Sequence, residues 1–231
     1  THIARRIHNQ ANALNKALKN IGYTQKNECY FDTLLIDLHE VSAENVNKIA
    51  LDAEINFLYI DENTISISIN ETTTLDDLND ILSVLAFAKA KDFDRITDIH
   101  DSSPISERQE RKTDFMQHKI FNTYHSETEM MRYIKKLERK DLSLTHSMIA
   151  LGSCTMKLNA ASEMLPLNES NFSALHPFIP IDQAEGYQEI FKALEKDLCE
   201  ITGFAGMSLQ PNSGAQGEYA GLMVLRAYHR S

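Results

Sequence analysis

No glycine stands between Gly22 and Gly152, and only one of the five prolines precedes position 166. The first two-thirds of the chain is therefore expected to be regular elements joined by ordinary loops. Five of the eight glycines fall between Gly203 and Gly221, where the backbone needs turns that other residues resist. Cysteine is equally sparse: Cys29, Cys154 and Cys199 are odd in number and far apart. That excludes a disulfide framework and a zinc site of ordinary spacing, and makes a reducing compartment the default. Basic residues are in deficit, 23 against 33 acidic, for a net charge of −10. A broad surface for nucleic acid or anionic membrane is excluded, a local anion site is not. No apolar run approaches the ~20 residues of a membrane span, and no leader-like segment opens the chain. The nine histidines are scattered without metal-ligand spacing, so no metal is expected. With 42% hydrophobic and 24% charged residues, the chain reads as globular. It starts at Thr1, already inside a helical pattern, which suggests a piece of something longer.

Ile3, Ile7, Leu14, Leu18 and Ile21 recur at helical spacing, with Gly22 as the stop. Tyr30–Leu38 reads as a strand. Ser42 caps a helix to about Ala53. Ile55–Ile60 and Thr64–Ile69 form a hairpin turning at Asp61-Glu62-Asn63, its second arm strictly alternating. Thr74 and Asp77 make a capping pair for a helix to Ala90. Residues 1–91 are thus expected to be a small domain with helices on one side of a sheet. Residues 92–125 read as a linker or extended arm with one short helix near Glu107–Met116. Ser126 and Glu129 make a capping box for a helix to about Lys140, with Met130, Met131, Ile134 and Leu137 inward. A helix capped by Asp182 runs to Ile201 and is stopped by Gly203. Gly206–Leu209 is expected to be a short strand and Gly214–Tyr228 a helix.

Two segments are dense in chemistry. In M-S-L-Q-P-N-S-G-A-Q-G-E-Y-A-G-L (Met207–Leu222), the expected strand–turn–helix aims free N–H groups and a positive dipole end outward. Ser213, Gly214, Ala215 and Gln216 are small or polar there and suit a phosphate. Close helix packing explains the same residues equally well. The spacing G-x-x-G-x-x-x-G is neither the dinucleotide fingerprint nor a P-loop. In S-L-T-H-S-M-I-A-L-G-S-C-T-M-K-L-N (Ser143–Asn159), Thr145, His146, Ser147, Ser153, Cys154, Thr155 and Lys157 crowd into a loop. A Cys–His nucleophile pair there has no orienting third group. A buried Cys154 and a solvated Lys157 are the plainer readings. His176, between Leu175 and Pro177, reads as part of a turn.

The strings T-H-S-M-I-A-L-G-S-C-T-M-K-L-N, H-P-F-I-P, D-Q-A-E-G-Y-Q and Q-P-N-S-G-A-Q-G-E-Y-A-G resemble the P-protein family of the glycine cleavage system. So do A-R-R-I-H-N, I-S-I-S-I-N-E-T and R-Y-I-K-K-L-E-R-K-D-L-S-L. Ala150 departs from the proline usual in that family. The resemblance implies an α/β fold class: an α+β small domain followed by the opening of an aminotransferase-like type I pyridoxal-phosphate domain. It implies residues 1–91 as the small domain closing a first half, 92–141 as linker and connecting helix, and 142–231 as the start of the second, cofactor-carrying half. By the same resemblance Ser213, Gly214, Ala215 and Gln216 would hold pyridoxal 5'-phosphate. Thr145, His146, Ser147, Ser153, Cys154 and Thr155 would line the glycine pocket. The Schiff-base lysine would lie beyond Ser231, so this chain by itself is expected to be inactive. The implied activity is an oxidoreductase that decarboxylates glycine and passes the aminomethyl group to the lipoyl arm of the H-protein. The implied assembly is a homodimer or paired halves, in a bacterial cytoplasm or a mitochondrial matrix. The alternative is a non-catalytic scaffold or interface piece. A phosphate-binding module would account for Ser213–Gln216 but not for Ser143–Asn159.

Overall fold

The computed structural model describes residues 2–100, 111–143, 146, 148 and 160–231. The chain divides into two units, with the boundary in sequence between Thr113 and Asp114.

The first unit opens with helix α1 (His2–Asn20) and continues through β1 (Thr24–Gln25), β2 (Thr33–Asp37), α2 (Ala43–Asp52), β3 (Leu58–Asp61), β4 (Thr64–Ser68) and α3 (Leu75–Ala88). The four strands form one antiparallel sheet in the order β1-β2-β4-β3. Alternation does what it should in β2 and β4. Leu34 and Ile36 pair with Ile67 and Ile65 and turn inward, whereas Thr33 pairs with Ser68 on the opposite face. Against the inward face pack Ala11, Leu14 and Leu18 of α1, Val46 of α2, and Leu78, Leu82 and Leu85 of α3. The helices-over-sheet arrangement anticipated from periodicity is the one present.

The local punctuation also appears as read. Ser42 accepts from the Asn45 amide at 3.3 Å, and Thr74 with Asp77 forms a complete capping box. The Asp61 carboxylate takes the Asn63 amide at 2.9 Å inside the hairpin turn, and that hydrogen bond holds its pKa below the ordinary value. Helix α1 ends with Gly22 at φ +89°, Gly22 N–H on Lys19 O and Tyr23 N–H on Leu18 O. This left-handed exit is one that a side chain resists. The exit is then tied to the far end of α3. Lys89 Nζ donates to Gly22 O and stands 4.3 Å from the Tyr23 ring centre, and Tyr23 Oη–H donates to Leu85 O at 2.9 Å.

After α3 the chain does not run free. Residues 92–100, expected as linker, lie along the core with Phe93, Ile96 and Ile99 partly buried. Asn79, 2% exposed, holds them. Its Nδ2 donates to Ile96 O at 3.0 Å and its Oδ1 accepts from Ile96 N–H at 2.8 Å. A side-chain amide that reads both polar groups of one extended residue acts as a substitute strand edge.

Two tyrosines set an alkaline limit on this unit. Burial pushes the phenols of Tyr23 and Tyr59 up to about 12, and the Tyr59 hydroxyl is buried with no hydrogen-bond partner. The folded unit keeps both protonated above the pH at which an unfolded chain releases them. The contribution of these two phenols to stability is therefore expected to be constant up to about pH 10 and to be lost between pH 10 and 12. Denaturant titrations across that range test this, and Tyr59→Phe should flatten the decline.

The second unit carries α4 (Glu127–Glu138), α5 (Ala161–Met164), α6 (Ser170–Ser173), α7 (Glu185–Thr202) and α8 (Gly214–Tyr228), with short 3-10 turns between them. The Ser126/Glu129 box is complete. The amides of His125 and Ser126 hold the Glu129 carboxyl below its usual pKa. Four expectations need correction. Met130, Met131, Ile134 and Leu137 are not inward: they are 45%, 62%, 52% and 42% exposed. Amphipathic spacing specifies a face that can be buried, not what buries it. Residues 111–116 are not helical, and the nearby short helix is the 3-10 turn Lys119–Asn122; residues 107–110 lie outside the described set. Asp182 does not cap α7, because Gln183 N–H and Ala184 N–H close a separate 3-10 turn and Ala184 breaks it from the helix. Gly206–Leu209 is not a strand, having no neighbouring strand among the described residues to supply ladder hydrogen bonds.

Candidate functional site

The start of α8 is built as the sequence suggests. Ser213 is its N-cap, in extended backbone, and its Oγ accepts from the Gln216 amide at 3.3 Å. Gln216 closes the box from the other side. Its Oε1 accepts from the Asn212 amide at 2.8 Å, one residue before the cap. Sequence reasoning missed this second bond, although a Gln three residues after a Ser cap is a signal for it. The two bonds leave the Gly214 and Ala215 amides as the helix-start donors without an acceptor inside the helix, and leave the Ser213 hydroxyl hydrogen free to donate. No acidic side chain occupies the first turn. A Cβ built on Gly214 or Gly217 would meet nothing within 4 Å. Two amides, one hydroxyl, a positive dipole end and no competing carboxylate form a donor set that fits a phosphate.

Of the residues expected on the substrate side, Thr145, Ser147, Ser153, Cys154 and Thr155 lie outside the described residues, as does Lys157. His146 is described. Its backbone amide closes a turn on Ser143 O at 3.0 Å, and Ser143 Oγ stands 3.2 Å from its Nδ1. Ser143 in turn reaches Glu138 at the end of α4. The carboxyl of Glu138 is held below its usual pKa first by Lys135, 2.6 Å away, then by Ser143 and the charge of His146. This polar line follows the helix-to-loop junction and was not anticipated. No hydrogen bond among the described residues joins His146 to the start of α8. His176 has the turn role expected of it. Its Nδ1 accepts from Phe178 N–H at 3.1 Å, beside an apolar hollow of about 350 Å³ between Leu175, Ile179, Tyr187 and Phe191.

Fold and site together define a mixed α/β protein with a Ser213-capped helix start that carries no acidic side chain in its first turn. The resemblance to the P-protein family of the glycine cleavage system is borne out. The sequence model of that family, described as glycine cleavage system P-protein, matches residues 1–85. Glycine dehydrogenase (decarboxylating) of Christiangramia forsetii is 56% identical over 230 residues, the whole of this chain and 24% of its own length. The Nostoc protein of that name is 48% identical over 99% of this chain and 24% of its own. The human protein, named as mitochondrial, is 46% identical over 98% of this chain and 22% of its own. The chain thus spans about a quarter of the length of the curated relatives it matches. Among the described residues, no helix is long and apolar enough to cross a membrane.

Proposed function

We propose that the chain forms part of a pyridoxal-phosphate-dependent glycine decarboxylase. Identity of 56% over 230 residues, the whole of this chain, carries this reading. The cofactor, when bound, supplies an electron sink for loss of carbon dioxide from glycine. The part of this chain is to hold and orient. The Ser213 hydroxyl and the amides of Gly214 and Ala215 would bind the phosphate, with Gln216 locking the turn that presents them. Thr145, His146, Ser147, Ser153, Cys154 and Thr155 would line the glycine side and keep water from the departing carboxylate. Residues 142–231 would open an aminotransferase-like domain, with 1–91 and 92–141 as the small domain and its connection. The reacting lysine is assigned to none of the lysines of this chain. The aminomethyl group would then pass to the lipoyl arm of an H-protein, reducing the disulfide of that arm. The assembly would be a homodimer or paired halves in a reducing compartment, the bacterial cytoplasm or the mitochondrial matrix.

A scaffold role is the second reading. It is favoured by the second unit, in which no described side chain is buried, the property of a surface waiting for neighbours. A chimera separates the two. These 231 residues would replace the aligned segment of the Christiangramia forsetii relative. Pyridoxal-phosphate content and carbon dioxide release from glycine, with lipoyl H-protein present, would then be measured. Both activities within about tenfold of the parent support the catalytic reading. A folded chimera that binds no cofactor supports the scaffold.

A further inference from the structure

A single line of hydrogen bonds runs along α1 and into the loop before β2. His8 Nδ1 lies 2.8 Å from Phe31 O, and Asn12 Nδ2 lies 3.0 Å from His8 Nε2. Tyr30 Oη–H donates to Asn12 Oδ1 at 2.6 Å, and Asn15 Nδ2 donates to Tyr30 Oη at 2.6 Å. A carbonyl oxygen only accepts, so Nδ1 carries the ring hydrogen and Nε2 is the acceptor for Asn12. Every donor therefore points the same way, from Asn15 toward Phe31. The His8 ring also stacks on Phe31, centres 5.4 Å apart and planes within 6°. At the far end, Asn15 is 8% exposed and its Oδ1 is buried without a partner.

That idle acceptor gives the line a second state. A doubly protonated imidazole has two donors and no acceptor. Its Nε2–H would then face the Asn12 N–H, donor against donor. A half-turn of the Asn12 amide puts Oδ1 toward His8 and Nδ2 toward Tyr30. The Tyr30 oxygen then accepts, its O–H turns to Asn15, and a half-turn of the Asn15 amide brings the idle Oδ1 to meet it. The incoming proton comes from water, to which His8 is partly open. The Phe31 carbonyl keeps its donor in both states, so the loop stays docked. Charged and titratable groups nearby are Arg5 and Arg6 on the same helix, Glu28, Cys29 and Asp32 on the loop, and Glu71 beyond β4, whose carbonyl takes Arg6. His8 forms no ion pair among the described residues.

We propose that His8, Asn12, Tyr30 and Asn15 form a proton-sensing relay whose donor direction reverses when His8 takes its second proton. The test uses the full chain, labelled with nitrogen-15. The His8 ring nitrogens and the side-chain amides of Asn12 and Asn15 are followed from about pH 8 to 5, where imidazoles ordinarily titrate. All three should move with one midpoint. In Tyr30→Phe, His8 and Asn12 should still move together while Asn15 stays flat. A Tyr30 that served packing alone would not uncouple them. If that variant fails to fold, His8→Gln provides the second readout and should leave Asn15 flat across the range. The proposal is overturned if His8 stays neutral throughout, if Asn15 does not move as His8 titrates, or if Asn15 moves as before in either variant.

Discussion

Replacing Ala215 with aspartate in the chimera should cost about three orders of magnitude in pyridoxal-phosphate affinity while leaving α8 formed. Ala215 is the second residue of that helix, immediately after Ser213 and Gly214. A carboxylate there complements the helix dipole and adds ~0.3–1 kcal/mol to the helix itself. The same carboxylate would stand against a phosphate held by the Gly214 and Ala215 amides. Two like charges about 4 Å apart at an effective dielectric near 20 repel by ~4 kcal/mol, and each ~1.4 kcal/mol is tenfold in binding. Cofactor titration followed by absorbance gives the affinity, and circular dichroism reports the helix. An intact helix with unchanged affinity would show that the phosphate is held elsewhere, and Ser213–Gln216 would then be a packing motif. Ala215→Ser, which adds no charge, should stay within about tenfold of the parent. The contrast isolates charge from size.

The second large effect is on stability and separates the two units. Leu14 is fully buried in the core cluster that also holds Leu34, Ile36 and Leu82, whereas Leu222 on α8 is 65% exposed. Leu14→Ala should cost ~2–5 kcal/mol, the sum of lost burial and a cavity that rigid neighbours cannot close. Against a typical total of ~5–15 kcal/mol for a domain, that is a large share. Leu222→Ala removes the same atoms from a side chain already in water and should change stability by less than ~0.5 kcal/mol. Both are read from denaturant midpoints of the 231-residue chain. Equal costs would mean that α8 is buried in solution and the exposure of the second unit is not its resting state.

The candidate site was legible at the start of α8 because its determinants are local. Ser213 caps, Gly214 and Ala215 are small, and Gln216 sits where it can fold back. The backbone of four consecutive residues makes the donor set, so no distant contact is required. The Ser143–Asn159 stretch is the opposite case. Its residues mean something only beside whatever they face, and the one described member of the expected pocket, His146, is met by Ser143 in the loop after α4.

The same division runs through the fold. The sequence by itself determined the helices α1, α2, α3, α4 and α8, the caps at Ser42, Thr74 and Ser126, the hairpin turn, and the left-handed exit at Gly22. Those features depend on interactions within about four residues, which a period, a cap or a lone glycine encodes directly. Only the tertiary structure decided that β4 lies between β2 and β3, that Asn79 holds residues 92–100 against the core, and that His8 reaches Tyr30 and Asn15 through Asn12. It also decided that the apolar face of α4 stays open. Each of these depends on partners far apart in the chain, or on a partner's absence. Spacing along a sequence carries the demand for a contact, and only the folded chain decides which group meets it.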